Sequence, residues 1–75
     1  MLEGKPRIKA LNDLCWEYRN SDADKALNYG NEGLKLATTL GDSAGIGQSY
    51  NDIGAILFNV GRYDEALDNY AKSLA

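Results

Sequence analysis

The residues that could carry out chemistry are few, because the 75-residue chain contains one cysteine and no histidine. Nucleophile pairs of the Ser–His and Cys–His type are therefore excluded, and a zinc site would need carboxylates and one thiol, a rare combination. Asp64 and Glu65 are adjacent carboxylates, but neighbouring residues on a helix do not face one another. We expect them to favour the positive end of a helix. The sequence thus predicts no catalytic residue, no metal site and no cofactor.

Composition and charge fit one small domain. Hydrophobic residues make up 44% of the chain and charged residues 25%, which argues against disorder. The net charge is −3 and the basic residues are scattered, so the sequence offers no basic stripe for nucleic acid. The longest apolar run, residues 55–58, is far too short for a membrane span. No signal peptide is visible, so we expect a cytoplasmic location, and an extracytoplasmic one stays open if a leader was removed.

The elements that position the polar side chains are predicted to be helices, since apolar residues recur at steps of three and four. We predict four helices, at roughly residues 6–20, 23–40, 43–60 and 63–75. The stretches Asn20-Ser21-Asp22 and Asp42-Ser43 are suited to cap the second and third helices, and Gly41 and Gly61 to end the second and third helices. The predicted core-facing residues are Ile8, Leu11, Leu14, Cys15, Tyr18, Ala23, Ala26, Leu27, Gly30, Leu34, Ala37, Leu40, Ile46, Tyr50, Ile53, Gly54, Leu57, Tyr63, Ala66, Leu67, Tyr70 and Leu74.

The second half of the chain repeats the first. Ala26-Leu27 recurs as Ala66-Leu67 forty residues later, and Asn12-Asp13 recurs as Asn51-Asp52 thirty-nine residues later. The difference of one residue falls in the short loop of each hairpin. One helical hairpin is therefore written twice, and a period in this range is typical of stacked repeat arrays.

The second copy resembles a tetratricopeptide repeat (TPR). Its motif reads Tyr50-x-x-Ile53-Gly54-x-x-Leu57, then Gly61-x-Tyr63-Asp64-Glu65-Ala66-Leu67, then Tyr70, which is similar to the W-x-x-L-G-x-x-Y and A-x-x-x-F signature of the family. The first copy keeps the spacing in Leu11-x-x-Leu14-Cys15-x-x-Tyr18 and keeps Ala26, but Gly30 replaces the aromatic residue. The period of about forty resembles the long-repeat branch, as in kinesin light chains and the sensory regions of some bacterial signalling proteins.

The resemblance implies an all-α fold of two antiparallel helix-turn-helix hairpins that form part of a right-handed α-solenoid. We predict a leader at residues 1–5, a first repeat at residues 6–41 and a second at residues 42–75. The helices of each hairpin need small residues where they cross, and Cys15, Gly54, Ala26 and Ala66 stand at those levels. Cys15 is therefore expected to be a buried packing residue.

The resemblance also implies a function, the presentation of a concave groove to a peptide or helix of another protein, within a larger signalling or regulatory protein. The first helix of each hairpin lines this groove in the family. The corresponding residues here are Lys9, Asn12, Asp13, Trp16, Asn20, Gln48, Asn51, Asp52, Ala55, Phe58 and Asn59. Asp13 and Asp52 would repel an acidic C-terminal tail, so a basic or neutral partner is expected. Two alternatives stay open: the Asn-Asp pairs are solvated or bridge the hairpins, and Trp16 and Phe58 pack on a neighbouring hairpin.

The last predicted helix carries a second candidate surface. One side of its apolar stripe, around Tyr63, Leu67, Tyr70 and Leu74, has no partner within its own hairpin. Because repeat arrays hide such a face under a further repeat or a cap, we expect more repeats beyond residue 75. We also expect the face to be covered by another molecule, through a homodimer or an exchanged helix. Structural self-association is thus the alternative function.

Overall fold

The structure is a computed structural model that describes residues 5–74. It contains four helices and, within those residues, no strand: α1 (Lys5–Tyr18), α2 (Ala23–Leu40), α3 (Ser43–Asn59) and α4 (Tyr63–Ser73). The predicted all-α fold is confirmed. The predicted leader lies outside the described residues except for Lys5, where α1 begins, and so does the predicted end of the last helix at Ala75.

The starts of α2 and α3 and the turns after α2 and α3 rest on local groups that the sequence shows. The side chain of Asp22 accepts a hydrogen bond from the backbone N–H of Lys25, and that of Asp42 accepts one from the N–H of Gly45. Gly41 ends α2 in the left-handed conformation, with φ of 65°, and Gly61 follows α3 with φ of 87°. Both caps and both glycine turns were predicted, and they are confirmed.

Four boundaries differ from the prediction. Helix α1 begins at Lys5 rather than at residue 6, and α4 ends at Ser73 rather than at residue 75. The first helix ends at Tyr18 rather than at residue 20, because residues 19–21 turn and the N–H of Asp22 bonds back to the carbonyl of Tyr18 at 2.9 Å. The third ends at Asn59 rather than at residue 60. These shifts leave the arrangement of the helices unchanged.

The helices form two antiparallel hairpins, a first hairpin of α1 and α2 and a second of α3 and α4. Helix α3 also packs against α1 and α2, whereas α4 contacts only α3 among the described helices. The first helices of both hairpins, α1 and α3, therefore lie beside each other. The resulting body is flat, with extents of 34 × 28 × 12 Å.

The core forms where small residues allow close approach. One cluster joins Cys15, Ala26 and Ile56, and a second joins Ile53, Leu57 and Ala66. The predicted burial of Cys15, Ala26, Gly54 and Ala66 is confirmed.

Several residues depart from the predicted core. Tyr63, Leu67 and Leu74 of the last stripe are exposed in the single chain. Ile56 is fully buried although the third stripe omitted it, since α3 is covered on more than one side. Leu40, which the second stripe included, is exposed at the last turn of α2, so that prediction was wrong.

Gly30 explains why the first copy lacks the aromatic residue of the second. A Cβ at Gly30 would lie 2.8 Å from Cγ1 of Ile53 and 3.1 Å from Sγ of Cys15. In the second hairpin the sizes are exchanged, because Tyr70 stands at the corresponding position and packs on Gly54. Gly30 therefore lets α3 approach the first hairpin, and this approach positions the candidate site.

Candidate functional site

A cleft of about 590 Å³ lies between α1 and α3; we refer to it as the α1/α3 cleft. Most of the predicted groove residues line it, namely Lys9, Asn12, Asp13, Trp16, Gln48, Asn51 and Asp52. The other four, Asn20, Ala55, Phe58 and Asn59, do not. The prediction did not include Ile8, Asp42, Ala44 and Gly45, which also line the cleft. Asp42 and Gly45 could have been found from the cap that begins α3, since this cap sits beside the groove helix.

The floor of the cleft is polar and buried. Asn12 is only 7% exposed and Asp52 only 4%. The hydroxyl of Ser49 donates to Oδ1 of Asn12 at 3.1 Å, which joins the two hairpins. Nε2 of Gln48 donates to Oδ1 of Asp52 at 2.8 Å. Helical spacing had placed Asn12 and Asp52 off the core, but the side-by-side packing of α1 and α3 buries both side chains.

The cleft is negative at its floor. Burial raises the pKa of Asp52, hydrogen bonds from the side chains of Gln48 and Asn51 lower this pKa in part, and the charge of Asp13 raises it. Asp13 itself is largely exposed and pairs with Lys9 on the same helix at 3.2 Å. The third carboxylate, that of Asp42, is engaged with the N–H of Gly45.

Trp16 stands half exposed at the rim of the cleft. The guanidinium of Arg19 lies 4.0 Å from the centroid of its ring and also donates to the carbonyl oxygen of Trp16. The ring can therefore hold a cation against its face. Its aromatic surface remains open beside the carboxylates of the cleft.

Of the four predicted groove residues that do not line the cleft, Asn20, Phe58 and Asn59 lie near the ends of α1 and α3. Nδ2 of Asn59 donates to Oδ1 of Asn20 at 3.4 Å, so residues thirty-nine positions apart meet across the two hairpins. Phe58 is exposed and meets Tyr63 edge to face, with ring centroids 5.1 Å apart. The structure thus separates Phe58 from Trp16, which the sequence had placed in one groove.

The predicted self-association face on α4 is only partly free. In the single chain, Leu67 is 64% exposed and Leu74 88%, and Tyr63 is exposed as well. Tyr70 behaves differently, because it packs against the cluster of Ile53, Leu57 and Ala66 within its own hairpin. That another molecule covers this face stays a prediction.

The remaining reactive groups do not assemble into a second site. Burial raises the pKa of the Cys15 thiol to about 12, with a further contribution from the charge of Asp52. Across residues 5–74, no cluster of histidine, cysteine and acidic side chains is arranged to hold a metal ion. Nor is any helix in that part of the chain both long and apolar enough to cross a bilayer.

Two stacked helical hairpins with a cleft between their first helices define a helical-repeat domain. A family model described as the SusR N-terminal TPR domain matches residues 3–72, and the chain belongs to this TPR family. Domains of the family bind other proteins and are non-enzymatic scaffolds. No curated protein and no solved structure has significant similarity to the chain. The match identifies the family and not its long-repeat branch, which stays a prediction.

Proposed function

We propose that the chain is a protein-interaction module whose α1/α3 cleft receives a peptide or a helix of a partner protein. The observation that carries this proposal is the cleft itself, since it lies between the two groove helices and combines buried polar groups with an exposed aromatic rim. Exposed aromatic residues beside desolvated polar groups are typical of interaction hot spots. The module acts by holding α1 and α3 rigidly side by side, and no chemical step is required of it.

The charge of the cleft favours a basic or neutral partner. Asp13, Asp42 and Asp52 line it, and the only lining cation, Lys9, is paired with Asp13. A partner segment that ends in acidic residues would bring like charges together, which costs free energy. The resemblance to signalling proteins suggests a role within a larger regulatory protein.

Capture of the partner tests the cleft. The chain, immobilised, is exposed to a lysate of its source cells, and the bound proteins are quantified by mass spectrometry. Asp13→Lys reverses an exposed charge in the cleft and should weaken capture, whereas Asp24→Lys, the same change on the exposed start of α2, should not. Equal capture by both variants would remove the cleft from the mechanism.

A matched peptide experiment tests the charge preference. A peptide with an acidic C-terminal tail should show no saturable binding to the wild-type chain by calorimetry. Low-micromolar affinity for that peptide would contradict the proposal, because the carboxylates of the cleft would then not exclude acidic tails.

Self-association is a second candidate, and the exposure of Leu67 and Leu74 favours it. Glu17 on α1 stands thirty-nine residues before Ile56, which is fully buried against the first hairpin. A carboxylate at that position disfavours head-to-tail stacking, so the α4 faces of two copies would pair with each other as a homodimer.

Sedimentation equilibrium distinguishes the two candidates. If α4 pairs two copies, the wild-type chain dimerises as its concentration rises, Leu67→Glu stays monomeric and Leu40→Glu, at an exposed position on α2, still dimerises. A wild-type chain that remains monomeric at millimolar concentration would overturn self-association and leave the cleft proposal intact.

A further inference from the structure

The floor of the α1/α3 cleft contains a carboxylate without a cationic partner. Asp52 is 4% exposed, yet none of the ion pairs formed among the described residues includes it. The side chains that donate hydrogen bonds to it, those of Gln48 and Asn51, are neutral amides, and Lys9 is engaged with Asp13. Buried charges in folded proteins are usually paired, because an isolated one is costly to remove from water.

The same floor contains a free donor. Asn12 is 7% exposed and uses Oδ1 to accept from Ser49. Within residues 5–74 its amide Nδ2 forms no hydrogen bond, and since no polar side-chain atom there is both fully buried and without a partner, Nδ2 is open to the cleft. A ligand that displaces water from this amide has to replace the lost hydrogen bond, so a complementary ligand offers an acceptor as well as a positive charge.

The carboxylate of Asp52 on α3 and the amide of Asn12 on α1 line the same cleft. We propose that the α1/α3 cleft contains a subsite for a lysine or arginine side chain of the partner protein, held by Asp52 at the floor and Asp13 at the rim. A carbonyl oxygen of the same partner segment accepts from Asn12. The need for an acceptor beside the cation favours a peptide over a simple cation. This inference rests on the proposed function of the cleft.

The surroundings fit a long basic side chain. The cleft volume of about 590 Å³ accommodates it, and the exposed ring of Trp16 provides an apolar surface for its aliphatic stem. The ring already holds the guanidinium of Arg19 at 4.0 Å, which shows that a cation is accepted there. Asp13 and Asp52 both line the cleft, so one incoming cation can interact with both carboxylates.

The test compares two peptides that differ only in charge. The probes are a blocked tripeptide with a central arginine and the same tripeptide with citrulline, which has a similar shape and no charge. Binding to the ¹⁵N-labelled full chain is followed by NMR, through the indole N–H of Trp16 and the side-chain amides of Asn12 and Gln48. We expect saturable shifts with the arginine peptide and binding at least about tenfold weaker with citrulline.

Two variants test whether Asp52 is the carboxylate that binds the arginine side chain. Asp52→Asn keeps the shape of the side chain and should weaken binding of the arginine peptide about tenfold, whereas Asp24→Asn, outside the cleft, should leave it unchanged. A thermal melt shows that Asp52→Asn is folded, and since the variant removes an unpaired buried charge, its melting temperature should not fall.

The outcomes separate this subsite from the cleft as a whole. Equal binding of the arginine and citrulline peptides at Trp16 would overturn the basic subsite and leave a neutral groove. Absence of binding by either peptide would also overturn the subsite, and the partner-capture comparison of Asp13→Lys with Asp24→Lys would still judge the cleft. Unchanged binding by Asp52→Asn would show that Asp52 does not hold the cation.

Discussion

Replacing Gly30 with alanine should destabilise the junction at which α1, α2 and α3 meet. The added Cβ would lie 2.8 Å from Cγ1 of Ile53 and 3.1 Å from Sγ of Cys15. Neither neighbour can retreat into solvent, since Ile53 is 5% exposed and Cys15 is fully buried. The substitution therefore overfills a core that three helices share.

Two opposing effects set the magnitude for Gly30→Ala. Alanine is favoured over glycine by about 1 kcal/mol in a helix interior, and an added methyl group in a well-packed core costs about 1–3 kcal/mol. The contact with Ile53 involves a carbon in the middle of a branched side chain, so the cost falls in the upper part of that range. We expect the free energy of unfolding to decrease by about 1–2 kcal/mol, and the melting temperature by roughly 5–15 °C.

Urea denaturation followed by far-UV circular dichroism measures this change. The matched control is Gly47→Ala on α3, where the nearest atom to the added Cβ is the carbonyl oxygen of Ser73 at 3.3 Å. That oxygen lies at the end of α4 and can move, so the control should be neutral or stabilised by up to about 1 kcal/mol.

A double-mutant cycle tests the cause. Ile53→Ala removes the carbon that clashes, so it should cost at least about 0.5 kcal/mol less in the Gly30→Ala chain than in the wild-type chain. Additive costs, or a Gly30→Ala chain as stable as the Gly47→Ala chain, would refute the claim that Gly30 is required for the approach of α3.

Three further predictions concern the seam between the hairpins. Burial and the charge of Asp13 raise the pKa of Asp52, so the folded chain binds the proton of this carboxyl group more tightly than the unfolded chain does. Stability therefore falls as the pH rises from the pKa of Asp52 in the unfolded chain to its pKa in the folded chain. Asp52→Asn should therefore be more stable than wild type at pH 7, by about 1.4 kcal/mol per unit of the shift, and the difference should vanish in acid; denaturation across pH checks this. Cys15 should not react with a thiol reagent at neutral pH in the folded chain, because its pKa is about 12, and reaction as fast as in urea would contradict this. Ser49→Ala should lower the free energy of unfolding by about 1–3 kcal/mol, since it leaves Oδ1 of Asn12 buried without a donor, and an unchanged urea midpoint would show that this bond does not hold the hairpins together.

The helices could be predicted almost to the residue because their ends depend on local groups. Asp22 and Asp42 cap the N–H groups three residues later, and Gly41 adopts a conformation that other residues avoid. None of these interactions needs a distant part of the chain. The premature end of α1 at Tyr18 was missed because helical spacing of the apolar residues does not show how the following turn closes.

The sequence predicted on which side of the helices the candidate site lies, but not how deep the cleft is. Helical spacing indicated which side of α1 and α3 forms the groove, but it gave no depth, because depth depends on the distance between two helices. Asn12 and Asp52 are therefore buried where solvated side chains were an open alternative. Phe58 lies beyond the cleft because the cleft occupies only part of the length of α3.

The two Asn-Asp pairs show that the site forms between the two hairpins and not within either one. The pairs are identical in sequence, yet Asn12 is buried and Asp13 exposed, whereas Asn51 is exposed and Asp52 buried. Asn12 is covered because it contacts the following hairpin through Ser49, and Asp52 because α1 of the preceding hairpin lies beside α3. Asn12 and Asp52 therefore line one cleft only where one copy follows another. An isolated hairpin would have both groups in water, so the selectivity proposed for the cleft requires two stacked copies.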